Sequence, residues 1–133
     1  MTEPIRIKQV ILIRRDLKMR RGKEVAQGSH ASMEFIVARI RGSGSSHDIK
    51  HPHVTQLERE WINGGMAKIC LQVTSEEELL KYHSLAREAG LASHTITDSG
   101  RTEFGGRPTL TSCAIGPGPS DEIDKITSDL KLY

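Results

Sequence analysis

Two stretches of this chain hold side chains that can move protons and steady charge. The first runs from Asp16 to Ala31 and carries Lys18, Arg20, Arg21, Lys23, Gln27 and His30. The second is Asp98-Ser99-Gly100-Arg101-Thr102. Between them they offer a carboxylate (Asp98), a lysine (Lys18), an imidazole (His30), an arginine (Arg101) and a hydroxyl (Thr102). That set suits hydrolysis, in which a carboxylate or imidazole orients water and cations stabilise an oxyanion. Arg14, Arg15, Lys18, Arg20, Arg21 and Lys23 also crowd one short loop that leads into a helix. A helix N-terminus presents unpaired N–H groups and a positive dipole end, so a phosphate fits there. The plainer readings are a solvated polar edge behind a cationic loop, an Asx turn at Asp98 and a turn hydroxyl at Thr102.

Alternating strands and helices must position these residues. Ile5 to Arg14 reads as a strand whose run Val10-Ile11-Leu12-Ile13 suits a strand covered on both faces. A helix follows from about Lys23 to Arg41. Its helical period puts Val25, Ala26, Ser29, Met33, Ile36, Val37 and Ile40 in one core-facing arc. Lys23, Gln27, His30 and Glu34 form a separate stripe at i, i+4, i+7, i+11. After a Gly/Ser-rich segment (Gly42 to Ser46), Val54 to Trp61 forms a short helix and Met66 to Val73 a second strand. Ser75 and Glu78 make a capping box for a helix reaching Ala89, which buries Leu79, Leu80, His83 and Ala86. His94 to Thr97 and Thr109 to Ile115 are short strands joined closely enough to run antiparallel. Gly116-Pro117-Gly118-Pro119 stops the latter, and Ser120 caps a last helix. Crossover helices after the first two strands imply parallel pairing there and helices on both faces. The expected fold is a single α/β domain over residues 1–133, three-layer α/β/α with a small four-stranded mixed sheet. Both reactive loops then lie at the carboxyl ends of parallel strands, where open α/β sheets bind ligands.

Composition narrows the classes. With 36% hydrophobic and 27% charged residues the chain is an ordinary globular protein. No apolar run reaches membrane-spanning length. Met1-Thr2-Glu3-Pro4 lacks a signal-peptide pattern. A net charge of +2 is too mild to prove nucleic-acid binding. Cys70 and Cys113 sit in apolar runs without CxxC spacing, which fits reduced, buried thiols of a cytoplasmic protein better than a disulfide. His47, His51 and His53 invite a metal, but Asp48 is the only acid near them and the spacing is poor, so no metal or other cofactor is expected. P-loop, GxGxxG, GxSxG and HExxH motifs are absent.

The block Asp16-Leu17-Lys18-Met19, Gly22-Lys23, Ala26-Gln27 and Ser29-His30-Ala31 resembles the signature of the class-II peptidyl-tRNA hydrolases. So do Asp98 to Thr102, Ala114 to Pro119 and the closing Ile123 to Leu132, in collinear order over nearly the whole chain. The resemblance implies a cytoplasmic, metal-independent hydrolase of the ester between a peptide and tRNA, often a homodimer. It implies catalytic roles for Lys18, His30, Asp98 and Thr102, with neighbouring polar positions at Gln27 and Arg101. On that reading Arg20, Arg21, Lys23, Gln27 and Arg101 hold the tRNA. The chain departs from the family pattern at Arg20-Arg21, at Gly28 and at Glu103, where Gly-Lys, Cys and Gln are common. The alternative class is a tRNA- or protein-binding module of the same fold without turnover.

Overall fold

The computed structural model describes residues 5–42, 52–101 and 104–133. Strand β1 (Ile7–Arg14) leads through a 3₁₀ turn (Arg15–Leu17) into helix α1 (Arg21–Arg41). Helix α2 (Gln56–Asn63), strand β2 (Lys68–Val73) and helix α3 (Glu76–Glu88) follow. Strands β3 (Ser93–Asp98) and β4 (Thr109–Pro119) and helix α4 (Ser120–Thr127) complete the order. The sheet order is β2-β1-β4-β3. β1 pairs with β2 in parallel, and β4 is antiparallel to both β1 and β3. β1, β2 and β3 therefore all end at the same side of the sheet.

The central strands are covered on both faces, as the unbroken apolar run in β1 requires. Val10 and Leu12 join Val73, Leu79, Tyr82, Ala86, Ile115 and Ile123 under α3 and α4. Ile11 and Ile13 join Met19, Ala31 and Ala114 under α1. On the α1 side Phe35 packs edge-on against Trp61 of α2 at 5.9 Å, and Arg39 grips Glu58 through its two terminal guanidinium nitrogens at 2.6 and 2.7 Å. The molecule is thus an α/β/α sandwich on a four-stranded mixed sheet.

Several local expectations are corrected. The buried face of α1 is Gln27, Gly28, Ala31 and Phe35, whereas Val25 and Met33 are 64% and 57% exposed. Small residues decide this. A Cβ built on Gly28 would stand 3.6 Å from Ile13 and 3.8 Å from Ile11, so this edge of the helix lies directly on β1. On α3, Tyr82 is buried and Leu80 exposed, and the Tyr82 hydroxyl donates to Asp129 at 2.8 Å. His83 is half-buried and bonded to the Ser93 hydroxyl at 2.7 Å, a packed histidine. Ser75 does cap α3, but the complete capping box belongs to Thr55 and Glu58 on α2. Pro119 rather than Ser120 is the N-cap of α4, and Cys70, on the sheet margin, is exposed. β4 also runs through Gly116 to Pro119 instead of stopping at Ile115. Gly116 allows this, with φ +101° and a backbone so close to Lys8 that a Cβ would lie 2.7 Å from its carbonyl oxygen.

Candidate active site

Asp98 is the last residue of β3, and α1 begins at the same end of the sheet. One turn apart on α1, Lys23 and Gln27 both reach the carboxylate. The Lys23 ammonium donates to Oδ1 at 2.9 Å, and Gln27 Nε2 donates to the same oxygen at 3.2 Å. The Gly100 N–H donates to Oδ2 at 2.8 Å. The hydrogen bond from Lys23 holds the Asp98 carboxyl below its usual range, with partial burial opposing and the Gly100 and Gln27 donors adding to it. The aromatic ring of Phe104 lies 5.8 Å from the Lys23 ammonium.

Gln27 is in turn fixed from β4. The Thr111 hydroxyl donates to Gln27 Oε1 at 2.6 Å, and the Ser112 hydroxyl donates to the Gln27 backbone carbonyl at 3.1 Å. Consecutive strand residues normally point to opposite faces. Here both point at α1, because the register between β3 and β4 slips between Ile96 and Thr97, leaving Thr111 as an extra residue of β4. A bulge of this kind re-aims a side chain. Since a carboxylate only accepts, Gln27 must turn its amide nitrogen to Asp98 and its oxygen to Thr111. Thr111, Gln27 and Asp98 thus form a continuous hydrogen-bonded relay.

The expected site residues separate into groups. Asp98, Lys23 and Gln27 come together. Lys18 is exposed at the same end of the sheet, in a left-handed conformation (φ 51°) that closes the 3₁₀ turn, while its neighbour Met19 is buried under α1 and anchors the loop. Among the described residues no hydrogen bond joins Lys18 to Asp98. His30 is exposed and lines a groove of about 360 Å³ with Glu34, Val37, Thr95, Ile96 and Thr97. It too has no hydrogen bond to Asp98 among the described residues. Arg20, Arg21 and Arg101 are exposed around this end. Thr102, Glu103, His47, Asp48 and His51 lie outside the described residues. Within the basic loop Arg14 grips Asp16 at 2.6 Å and the Leu110 carbonyl at 2.9 Å, and Arg15 lies over the Tyr133 ring. A groove of about 780 Å³ runs between α1 and β2 past Val25, Met33 and Tyr133, and holds none of the groups bonded to Asp98.

The sequence reading sets Lys23 and Gln27 among the tRNA-binding residues; in the structure both hydrogen-bond to Asp98. It missed Thr111, Ser112 and Gly100. Gly100 alone left a signal, two residues after an acid in a turn-forming run.

The sequence profile described as Peptidyl-tRNA hydrolase PTH2 matches residues 7–133. A peptidyl-tRNA hydrolase of Methanocaldococcus jannaschii is 41% identical over 127 residues, covering 95% of this chain and 99% of that protein. One of Methanopyrus kandleri is 40% identical, covering 94% and 97%. A probable peptidyl-tRNA hydrolase 2 of Dictyostelium discoideum is 39% identical over 95% of this chain and 54% of its own length. Matched along nearly its entire length by both the profile and these relatives, the chain belongs to the peptidyl-tRNA hydrolase PTH2 family.

Proposed function

We propose that this chain hydrolyses the ester joining a peptide, or an N-acylated amino acid, to tRNA. The observation that carries the reading is a carboxylate held ionised among donors, with Lys23 and Gln27 on one oxygen and the Gly100 N–H on the other. A site built only to hold phosphate has no use for a carboxylate at its centre, which favours an enzyme over the binding module. Asp98 orients a water and accepts its proton as the water oxygen attacks the ester carbonyl carbon. Lys23, beside Asp98, and Lys18, at the same end of the sheet, favour the negative charge that develops on the carbonyl oxygen. Collapse of the tetrahedral intermediate breaks the bond to the ribose oxygen, which takes a proton. The products are a peptide with a free carboxyl group and tRNA.

No step requires a metal ion. N-acetyl-aminoacyl-tRNA incubated with the protein and a chelator should therefore release free tRNA at the untreated rate. Loss of turnover that zinc restores would transfer the chemistry to a metal site. No release under any condition, with tRNA still bound, would establish the binding module instead.

The tRNA phosphates are held by Arg20, Arg21 and Arg101. Replacing Arg20 and Arg21 with alanine should raise KM, leave kcat nearly unchanged and flatten the salt dependence of tRNA binding. Each lost phosphate contact should change the slope by about 0.7–0.9. A double variant that keeps its affinity and loses kcat would move these arginines into the reaction itself.

The same reading sets the protein in the cytoplasm as a homodimer. Val25 and Met33 on α1, together with Ile69 and Leu132 at the β2 margin, are exposed apolar surface for a second copy. A monomer mass by light scattering would remove the dimer. Among the described residues no helix is long and apolar enough to cross a membrane.

A further inference from the structure

The two margins of the sheet are treated differently. β2 is covered by the chain's own C-terminal segment: the Gln72 N–H donates to the Lys131 carbonyl and the Tyr133 N–H to the Cys70 carbonyl, each at 3.0 Å. Leu71 and Leu132 form an antiparallel bridge there. At the opposite margin, β3 pairs with β4 on one side only, and no described segment pairs with its other side. Exposed margins are normally blunted or covered, because their unpaired N–H and C=O groups recruit other strands. This one runs directly into Asp98.

The backbone groups that face outward can be identified. In an antiparallel ladder, alternate residues turn both backbone groups toward the partner strand or away from it. The Ala92 carbonyl accepts from the Gly116 N–H at 2.8 Å, and the extra residue at the register slip lies on β4, so the alternation along β3 is unbroken and its even positions face β4. The Ser93 carbonyl instead accepts from Arg87 of α3 at 3.4 Å. Thr95 and Thr97 share the parity of Ser93 and turn their N–H and C=O groups outward. Beside them lies the groove of about 360 Å³, whose opposite wall is His30, Glu34 and Val37 of α1.

We propose that the β3 margin binds the peptide moiety of the substrate as an added strand, parallel to β3, with its C-terminal residue at Asp98. The proposal rests on the hydrolase reading, because the ester carbon fixes which end of the peptide lies at Asp98. β3 reaches the site with its own carboxyl end, so a peptide esterified at its carboxyl end must run in the same direction. Main-chain pairing suits this substrate class. It supplies affinity without reading side chains, and peptides carried on tRNA have no common sequence. At about 3.3 Å per residue, a three- or four-residue peptide spans Thr95 to Thr97. His30 then contacts the peptide rather than the attacking water.

The test uses the native chain and two esters, N-acetyl-aminoacyl-tRNA and N-acetyl-tetrapeptidyl-tRNA. Two added backbone hydrogen bonds should make kcat/KM about tenfold higher for the longer ester. N-methylation of a peptide nitrogen that faces β3 should remove that gain, and N-methylation one residue along should not. Thr95→Pro, which deletes an outward N–H, should remove it as well; if that variant does not fold, the methylated substrates decide. A second readout needs no turnover. With amide-linked, non-hydrolysable analogues, hydrogen exchange at the Thr95 and Thr97 amides should slow for the tetrapeptidyl form and not for the aminoacyl form. Equal kcat/KM for the two esters, with unchanged exchange, overturns the added strand and leaves the hydrolase intact. Slowed exchange with neither ester cleaved leaves the peptide site standing and overturns the hydrolase.

Discussion

Replacing Asp98 with asparagine should lower kcat by about 10²–10⁴-fold, the usual worth of a positioned general base. Binding of tRNA should hold or tighten, because a negative charge leaves a basic surface. The substitution nearly conserves shape but not hydrogen-bonding sense. Lys23, Gln27 and the Gly100 N–H all donate to the carboxylate, and an asparagine must direct its own NH₂ at one side of that ring of donors. The pH profile carries the same argument. A carboxyl held below its usual range by the Lys23 hydrogen bond is ionised from neutral pH down to its lowered pKa. Its contribution to both stability and rate is present above the ordinary carboxylate pKa of about 3.9 and is lost only as pH falls through the lowered value. Between about pH 7 and 5, kcat should therefore stay flat, whereas an imidazole base would produce a descending limb near about 6.5. Single-turnover release of tRNA across that range measures it. Parent-rate hydrolysis by the asparagine variant, or a limb that vanishes in His30→Ala, would pass the role of base to His30.

Gly100→Ala should cost about 10²-fold in kcat, the scale of a misplacement of about 1 Å at a reacting group. Gly100 has φ +81°, and a Cβ there would lie 2.0 Å from the Arg107 carbonyl oxygen and 2.7 Å from the Arg107 nitrogen. Its carbonyl accepts from the Gly106 N–H at 2.9 Å, which closes the neck of the loop after β3. An added methyl group must open that neck and withdraw the Gly100 N–H from Asp98. Most of the core lies elsewhere; Phe104 of this loop packs against its margin. Thermal unfolding should therefore shift far less than kcat. Gly105→Ala is the control. Gly105 also has positive φ (+59°), but a Cβ there meets nothing within 4 Å, so its cost is the left-handed backbone alone, about 1–2 kcal/mol. Equal kcat in the two glycine variants would show that the neck does not position Asp98.

The sequence by itself determined the element order, the doubly covered strand β1, the antiparallel pairing of β3 with β4 and the convergence of both loops at the carboxyl ends of the strands. These follow from local information: an unbroken branched run, helical period, cap residues and the short connection between the last two strands. Periodicity also set Lys23, Gln27 and His30 in one stripe on α1. It could not say which members of that stripe meet Asp98. Lys23 and Gln27 are 75 and 71 positions away in the chain, and they meet Asp98 because β4 inserts between β1 and β3 and sets where α1 lies. The rotation of α1 was likewise a tertiary decision. Hydropathy favours turning Val25 and Met33 inward, but packing against Ile11 and Ile13 accepts Gly28 and Ala31, and the buried Gln27 is tolerated because Thr111, Ser112 and Asp98 satisfy it. The bulge that aims Thr111 at Gln27 is a mismatch between two strands. Register of that kind belongs to the pair of strands and is written in neither one alone.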